Sequence, residues 1–349
     1  MKAITVVPGK AGSASLEHFD EPAETEGSVL VETVAVGICG TDAEIASGAY
    51  GWAPEGHERL VLGHESIGRV LEAPTGSELS AGDYVVGIVR RPDPVPCYNC
   101  AAGEWDFCRN GRYTEHGIKS LDGFMRERYR AEPDALVKVD SGLGELGVLL
   151  EPTSVVAKAW EQAERVGSRA TWHPKTAVIT GAGPIGLLAA LIGLQKGLEV
   201  HVFDQMEEGL KPDLVRELGG TYHTGPIEKA VEAPDVIIEC TGVPSLVFDA
   251  IEHVGSGGVV CLTGVSPTGR NLAIDAGLVN RSMVLANEAV VGSVNANRRH
   301  YEAAAAALAA AERSWLAKLV TRKVPIDDFA DALEHQPQDV KVVLQVATG

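Results

Sequence analysis

Cys39-Gly40-Thr41-Asp42 and, further along, Gly63-His64-Glu65 bring a thiolate, an imidazole and a carboxylate into the first fifth of the chain. A second carboxylate follows at Glu151-Pro152. Such a mixture of soft, borderline and hard donors suits Zn²⁺, and three protein ligands would leave a fourth position for a reacting molecule. Cys39, His64, Glu65 and Glu151 are therefore the candidate ligands of a catalytic metal. Asp42 reads more simply as a structural hydrogen-bonding partner than as a catalyst, and Glu44 as a polar helix residue that could serve a proton relay.

A second group of donors is Cys97-Tyr98-Asn99-Cys100 with Cys108 shortly after, on a Gly/Pro-rich stretch. Three thiolates this close can close around one structural zinc, which needs a fourth ligand. Asp93, Asp106, Glu115 and His116 are the residues at hand. The alternative is three reduced thiols in an exposed lobe, which would be an oxidation liability. Cys240 and Cys261 lie inside apolar runs and read as small buried hydrophobes.

A third signal binds a nucleotide. Gly181-Ala182-Gly183-Pro184-Ile185-Gly186 follows an apolar run and opens an apolar helix over about residues 187–196. Its glycines permit a tight turn and let a pyrophosphate approach the helix N-terminus. Val200-His201-Val202-Phe203-Asp204 then supplies a second strand ending in an acid at the expected distance. That acid would bind the 2′-hydroxyl of an adenosine ribose and repel a 2′-phosphate. The residues after it, Gln205-Met206-Glu207-Glu208, contain no arginine. NAD is therefore expected in preference to NADP.

The elements that must position these residues divide the chain. At 349 residues it exceeds one ordinary core, and 45% apolar content allows two to be buried. The N-terminal part alternates short apolar runs with Gly and Pro, as in Ser28 to Val36 and Asp83 to Val89, which predicts an antiparallel or barrel-like β domain. From Thr176 the rhythm becomes strand, helix, strand, predicting a parallel sheet wrapped by helices. The last fifty or so residues leave that rhythm. They read as an Ala-rich helix from Tyr301 to about Leu319, a short helix and a closing strand from Lys341 to Val346, returning to the first domain. The expected division is 1–155 with 290–349 as the catalytic domain and 156–289 as the nucleotide-binding domain.

Charge and cysteine usage exclude other classes. A net charge of −18 would repel nucleic-acid phosphates. It fits either a salt-adapted acidic surface or a moderately acidic cytosolic enzyme. No apolar run approaches a membrane span, and the N-terminus reads as a strand rather than a signal peptide. Six cysteines, three of them clustered, point to metal in a reducing cytoplasm rather than to disulfides. The histidines at 18, 57, 173, 201, 223, 253 and 335 have no matching partners nearby in sequence and read as surface or satisfied core residues.

In this order, Cys39-Gly-Thr-Asp, Gly63-His64-Glu65, the cysteine lobe, Glu151-Pro152 and the glycine fingerprint resemble the zinc-dependent medium-chain alcohol dehydrogenases over essentially the whole chain. Three segments further resemble archaeal-type glucose dehydrogenases: Tyr113 to Ile118 leading to Asp122-Gly123-Phe124-Met125, Arg90-Arg91-Pro92, and Val291 to Asn295 followed by His300-Tyr301-Glu302-Ala303. The resemblance implies a GroES-like β-rich catalytic domain beside a Rossmann doubly wound parallel-sheet domain. It implies zinc held by Cys39 and His64 with Glu65 or Glu151, and Thr41 as acceptor of the substrate hydroxyl's hydrogen bond. Glu115, Asn295 and Glu151 would meet a sugar. The lobe of such proteins usually has four cysteines, and Pro94 stands in place of the first here. The implied activity is oxidation of an aldose at C1 to its lactone with hydride transfer to NAD(P)⁺, with glucose first and galactose or xylose as alternatives. A polyol or other secondary alcohol dehydrogenase would share the scaffold, whereas a non-enzymatic cofactor-binding protein would not need the full ligand set. Homodimers or homotetramers built on the nucleotide-binding sheets are expected.

Overall fold

The structure, a computed structural model, describes residues 1–269 and 271–347. The chain forms two compact units, Met1–Glu151 with Asn295–Gly349, and Pro152–Val294.

The first unit is built on β strands. A three-stranded sheet takes β1 (Lys2–Val6) between β2 (Ser15–His18) and β4 (Leu60–Val61). A larger sheet centres on β3 (Val29–Gly37), whose alternating burial turns Val29, Val31 and Ala35 inward. Between β3 and β5 (Glu65–Glu72) the chain makes helix α1 (Gly40–Ala46). Beyond β5 come β6 (Tyr84–Gly87), the short β7 (Arg90–Arg91), helix α2 (Tyr98–Ala101), β8 (Thr114–His116) and β9 (Ser120–Leu121). β7, β8 and β9 form a small sheet of their own. β10 (Arg128–Ala131) and β11 (Leu136–Lys138) close the N-terminal run, and helix α3 (Leu150–Gly167) leads out of it. Val31, Val36, Ile45, Leu62, Phe124 and Tyr129 meet in one core of this unit. Each such fully buried side chain contributes about 1.5–3 kcal/mol by leaving water.

The second unit has the predicted alternation. β12 (Thr176–Thr180), α4 (Pro184–Gln195), β13 (Glu199–Phe203), α5 (Leu210–Leu218), β14 (Thr221–His223), β15 (Val236–Glu239), α6 (Pro244–His253), β16 (Val259–Leu262), α7 (Ala276–Ala286) and β17 (Ala289–Gly292) follow in order. The six strands are parallel and ordered β14-β13-β12-β15-β16-β17. This is the doubly wound Rossmann arrangement, with its switch point between β12 and β15. α4 is apolar all round and largely buried, so it packs as an interior helix.

The C-terminal segment returns to the first unit. It forms α8 (Arg298–Ala309), α9 (Arg313–Leu319), β18 (Val320–Pro325), α10 (Phe329–Leu333) and β19 (Lys341–Gln345). β19 pairs with β3, Leu344 opposite Val36. The single Ala-rich helix read over 301–319 is two helices. Tyr301, Ala304 and Leu308 bury one face of α8, while Trp315, Leu316 and Leu319 bury a face of α9. The turn at 310–312 lets both faces reach the interior, and burial outweighs the propensity of alanine to continue the helix.

Candidate active site

Strand register assembles the first cluster. β3 and β5 run antiparallel with Gly37 opposite Glu65, so Cys39, just past the end of β3, meets His64, just before β5. Cys39 Sγ and donor atoms of His64 and Glu65 all lie within 4.8 Å of one another. Cys39 is also the N-cap of α1, and its amide donates to Asp42 Oδ2 at 2.9 Å. Asp42 is wholly buried. Its other oxygen stands 3.4 Å from His64 Nδ1, which leaves the far imidazole nitrogen for a metal. Burial works against a charged His64, but the charge and hydrogen bond of Asp42, with Cys39, outweigh it and hold the imidazole well above its usual range.

Glu65 is held more tightly than its sequence context suggested. Lys341, at the start of β19, places Nζ 2.7 and 2.6 Å from its two oxygens. Both side chains are 2% exposed. Burial opposes the charge on Lys341, yet Glu65 keeps the ammonium above its ordinary range. Gly37 makes room for the pair, since a Cβ there would come within 2.1 Å of Glu65 Oε2. Glu151 lies in the first turn of α3 and is buried. Burial and the charges of Glu65 and Asp42 push it up to about 7 against the pull of His64 and Lys341. The donor types suit a zinc site, and Glu65 already has Lys341 as a cationic partner.

Tyr50, a half-buried residue that sequence reasoning did not single out, lies beside Thr41. Burial raises the Tyr50 hydroxyl above its usual range, and Glu44, Cys39 and His64 are close enough to act on its charge. The exposed Glu44 thus faces the same hydroxyl.

Glu115 and Asn295 come together. Asn295 Nδ2 donates to Glu115 Oε1 at 2.7 Å. Arg90 donates to the same oxygen through Nε at 3.0 Å and Nη2 at 2.9 Å. Three donors on one oxygen leave Oε2 able to accept from a sugar hydroxyl. Asn295 has φ of +62°, a left-handed conformation that asparagine tolerates better than other side chains. Arg90 in turn reaches the Asp106 carbonyl and lies over the Tyr113 ring at 3.8 Å.

The cysteine lobe converges as read. Cys97, Cys100 and Cys108 offer sulfurs within 4.8 Å of one another. Amides of Arg109 and Cys100 hold the Cys97 thiol down to about 6, whereas burial and Cys108 push Cys100 up to about 11. Among the fourth-ligand candidates, Glu115 is bound to Arg90, Asp106 accepts from Asn297 at 2.7 Å, and His116 stacks on Phe124 at 4.4 Å. Asp93 is buried beside the lobe, its amide bonded to Cys100. Its Oδ1 accepts from the Val95 amide, and its Oδ2 faces Arg112 Nε at 3.4 Å.

In the second unit Gly181 follows β12 with φ of +88°, and a Cβ on Gly186 would stand 1.8 Å from the Gly181 carbonyl oxygen. Around Gly183, which caps α4, the space is open, as a pyrophosphate at the helix N-terminus requires. Pro184 and Ile185 form the first turn of α4. Asp204 Oδ2 accepts from the Ala182 amide at 2.7 Å, and Oδ1 accepts from Gln205 and Met206. The acid therefore braces the glycine turn. Gly181, Phe203, Asp204, Gln205, Gly225 and Thr241 are among the residues lining a cleft of about 330 Å³, and no lysine or arginine is among its described lining residues. Glu239, fully buried at the end of β15, accepts from the Thr241 and Gly242 amides and fixes the loop on the far side of this cleft.

Three of the remaining histidines have structural partners. His201 Nδ1 lies 2.9 Å from His223 Nε2, and His253 Nδ1 lies 3.1 Å from Asp249. These partners are distant in sequence or one helical turn away. Burial pushes the Cys240 and Cys261 thiols up to about 12, though Cys240 is half-buried just past β15 rather than fully buried within a strand.

Comparison with known proteins agrees with this geometry. The alcohol dehydrogenase GroES-like domain matches residues 25–141, and the glucose dehydrogenase C-terminus matches residues 144–346. The glucose 1-dehydrogenase of Methanocella arvoryzae is 40% identical over 99% of both chains. That of Thermoproteus tenax is 41% identical over 100% of both. The structure of Haloferax mediterranei glucose dehydrogenase in complex with NADP, Zn and gluconolactone superposes over 100% of both chains with a TM-score of 0.91 at 33% identity. This chain belongs to the glucose dehydrogenase family of the zinc-dependent medium-chain alcohol dehydrogenases.

Proposed function

We propose that the protein is a zinc-dependent glucose 1-dehydrogenase that oxidises the anomeric carbon of glucose to the lactone and passes hydride to a nicotinamide dinucleotide. The observation that carries this reading is the meeting of Cys39, His64 and Glu65 within 4.8 Å, with Thr41 on the adjoining helix. The Haloferax relative, which carries NADP, Zn and gluconolactone, supports the substrate and product.

Cys39 and His64 would hold the zinc, with Glu65, which stands in the donor cluster, or Glu151 as the carboxylate that joins them. When bound, zinc polarises the sugar hydroxyl and lowers its pKa. Thr41 accepts the hydrogen bond of that hydroxyl, and the Thr41–Tyr50 pair carries the proton away from the site toward Glu44. Glu115 and Asn295, braced by Arg90, orient the ring by its other hydroxyls, which distinguishes a sugar from a simple alcohol. Gly181, Gly183, Pro184, Ile185 and Gly186 would seat the pyrophosphate.

Asp204 favours NAD over NADP, because its charge at the end of β13 faces a cleft without a cation to receive a 2′-phosphate. Cys97, Cys100 and Cys108 would hold a second, structural zinc, with Asp93 as the fourth donor. A homodimer or homotetramer fits the exposed apolar side chains of α7, Leu278, Val284 and Leu285, beside the edge strand β17. No helix among the described residues is long and apolar enough to cross a membrane. The unpaired cysteines fit a reducing cytoplasm.

A panel of aldoses and polyols assayed at 340 nm with NAD⁺ and NADP⁺ tests the reading. Chelator-sensitive oxidation of glucose to a lactone with a preference for NAD⁺ is expected. A ketose product from polyols would replace it with the polyol dehydrogenase reading.

A further inference from the structure

β7 and β8 pair antiparallel, Arg90 opposite Glu115 and Arg91 opposite Thr114. Successive side chains of a strand leave on opposite faces. Arg90 and Glu115 share the face that meets Asn295, and Arg91, Thr114 and His116 share the other. That second face opens on a cavity of about 280 Å³ lined also by Arg126 and Arg130.

Of the cations at this cavity, Arg126 is buried and Arg91 and Arg130 are half-buried. Arg126 is 6% exposed, its Nε donates to nothing, and Nη1 lies 3.4 Å from the exposed Glu26. Arg130 likewise has an undonated Nε and meets the exposed Glu72 at 3.1 Å. Arg91 donates Nη1 to the Ile88 carbonyl, and its Nη2 lies 3.1 Å from His116 Nε2. Burial, then Arg91 and Arg126, hold His116 well below its ordinary range, so it adds no positive charge. The acids that line the cavity, Glu26, Glu132 and Asp134, are all exposed, where water screens them. Arg126 and Arg130 each meet one exposed carboxylate and keep an undonated Nε, and a bound oxyanion would offset that desolvation with charge-assisted hydrogen bonds.

We propose that this cavity is a regulatory site for a small phosphate-type oxyanion, gripped by Arg91, Arg126 and Arg130. The volume suits a small metabolite, either free phosphate or the phosphate of a sugar ester. His116 adjoins Glu115 on β8, so an anion that draws Arg91 off His116 shifts the strand that presents Glu115 to the sugar.

The holoenzyme, saturated with NAD⁺ so that the glycine loop is filled, is titrated calorimetrically at constant ionic strength with inorganic phosphate and with glucose 6-phosphate. One saturable site is expected. Arg130→Gln weakens it at least tenfold, and Glu26→Gln, which removes a carboxylate competing for Arg126, tightens it severalfold. Tighter binding of the ester names the sugar phosphate as ligand; tighter binding of phosphate names the free anion. Saturating anion changes KM for glucose in the wild type and not in Arg130→Gln, whose anion-free kcat is unchanged. Absence of a saturable site, or binding indifferent to both substitutions, overturns the proposal. Binding without any change in KM overturns the regulatory role. The calorimetric arm is independent of the glucose reading, so the two fail separately.

Discussion

At the scale of single residues, the most informative groups are those that touch the candidate ligands from behind. Asp42 orients His64 and receives the Cys39 amide. Asp42→Asn should lower zinc affinity by about 10–100-fold, measured by competition with a chromophoric chelator; unchanged affinity would refute its orienting role. Zinc must displace protons from the ligands it takes. His64 holds its proton above the usual imidazole range and Glu151 titrates at about 7. Zinc affinity should therefore fall as pH drops through neutrality, and a flat affinity between pH 6 and 8 would contradict this. Lys341 matters in another way. Lys341→Met leaves the Glu65 carboxylate buried without its cation, and stability should fall by about 3–5 kcal/mol. Adding Glu65→Gln should restore much of it. Denaturant melts of the single and double variants decide the point.

At the scale of elements, turns and registers set the geometry. The passage from β12 to α4 has no space for a side chain at Gly186, because the Gly181 carbonyl already occupies it. Gly186→Ala should abolish NADH binding, followed by nicotinamide fluorescence, while bound zinc, counted by metal analysis, stays with the other unit. Loss of both would mean that the substitution unfolds the chain instead. Asp204 acts on the same turn through the Ala182 amide. Asp204→Ala should raise the relative use of NADP⁺ and also loosen the turn, so that KM for both nucleotides rises. An unchanged NADP⁺/NAD⁺ ratio would remove its proposed part in cofactor choice.

At the scale of the whole molecule, charge and exposed apolar surface make separate demands. With a net charge of −18, like charges repel across the surface and added salt screens them. The melting temperature should rise between 0.05 and 1 M NaCl, by roughly the few degrees that 1 kcal/mol brings in a domain of this size. A falling melting temperature would show that specific ion pairs outweigh the repulsion. α7 has no buried residue although Leu278, Val284 and Leu285 lie on it. Such a surface is what the proposed homodimer or homotetramer would cover.

Local pattern carried a large part of this protein. Period-2 and strand-helix rhythms located β3, β6, β13 and β19 and the parallel alternation from Thr176 onward, since each strand buries a face that its own residues advertise. The glycine turn was legible because it is a contiguous backbone requirement, and the candidate zinc donors stood out because few residue types bind a metal. Contacts between residues distant along the chain were not legible. Lys341 reads as the polar end of a closing strand, and only the pairing of β19 with β3 carries it to Glu65. Tyr50 carried no signal in the sequence, and only the folded chain sets it beside Thr41. Arg90 became a brace for Glu115 only through the register of β7 on β8. The break between α8 and α9 was likewise hidden, because alanine favours helix regardless of what the next turn must bury. The sequence by itself determined the donor types, the nucleotide turn and the two-part architecture, all properties of local residue chemistry and spacing. Tertiary structure alone decided which charges face one another, because partners separated by hundreds of residues are chosen by strand register and burial rather than by neighbours in the chain.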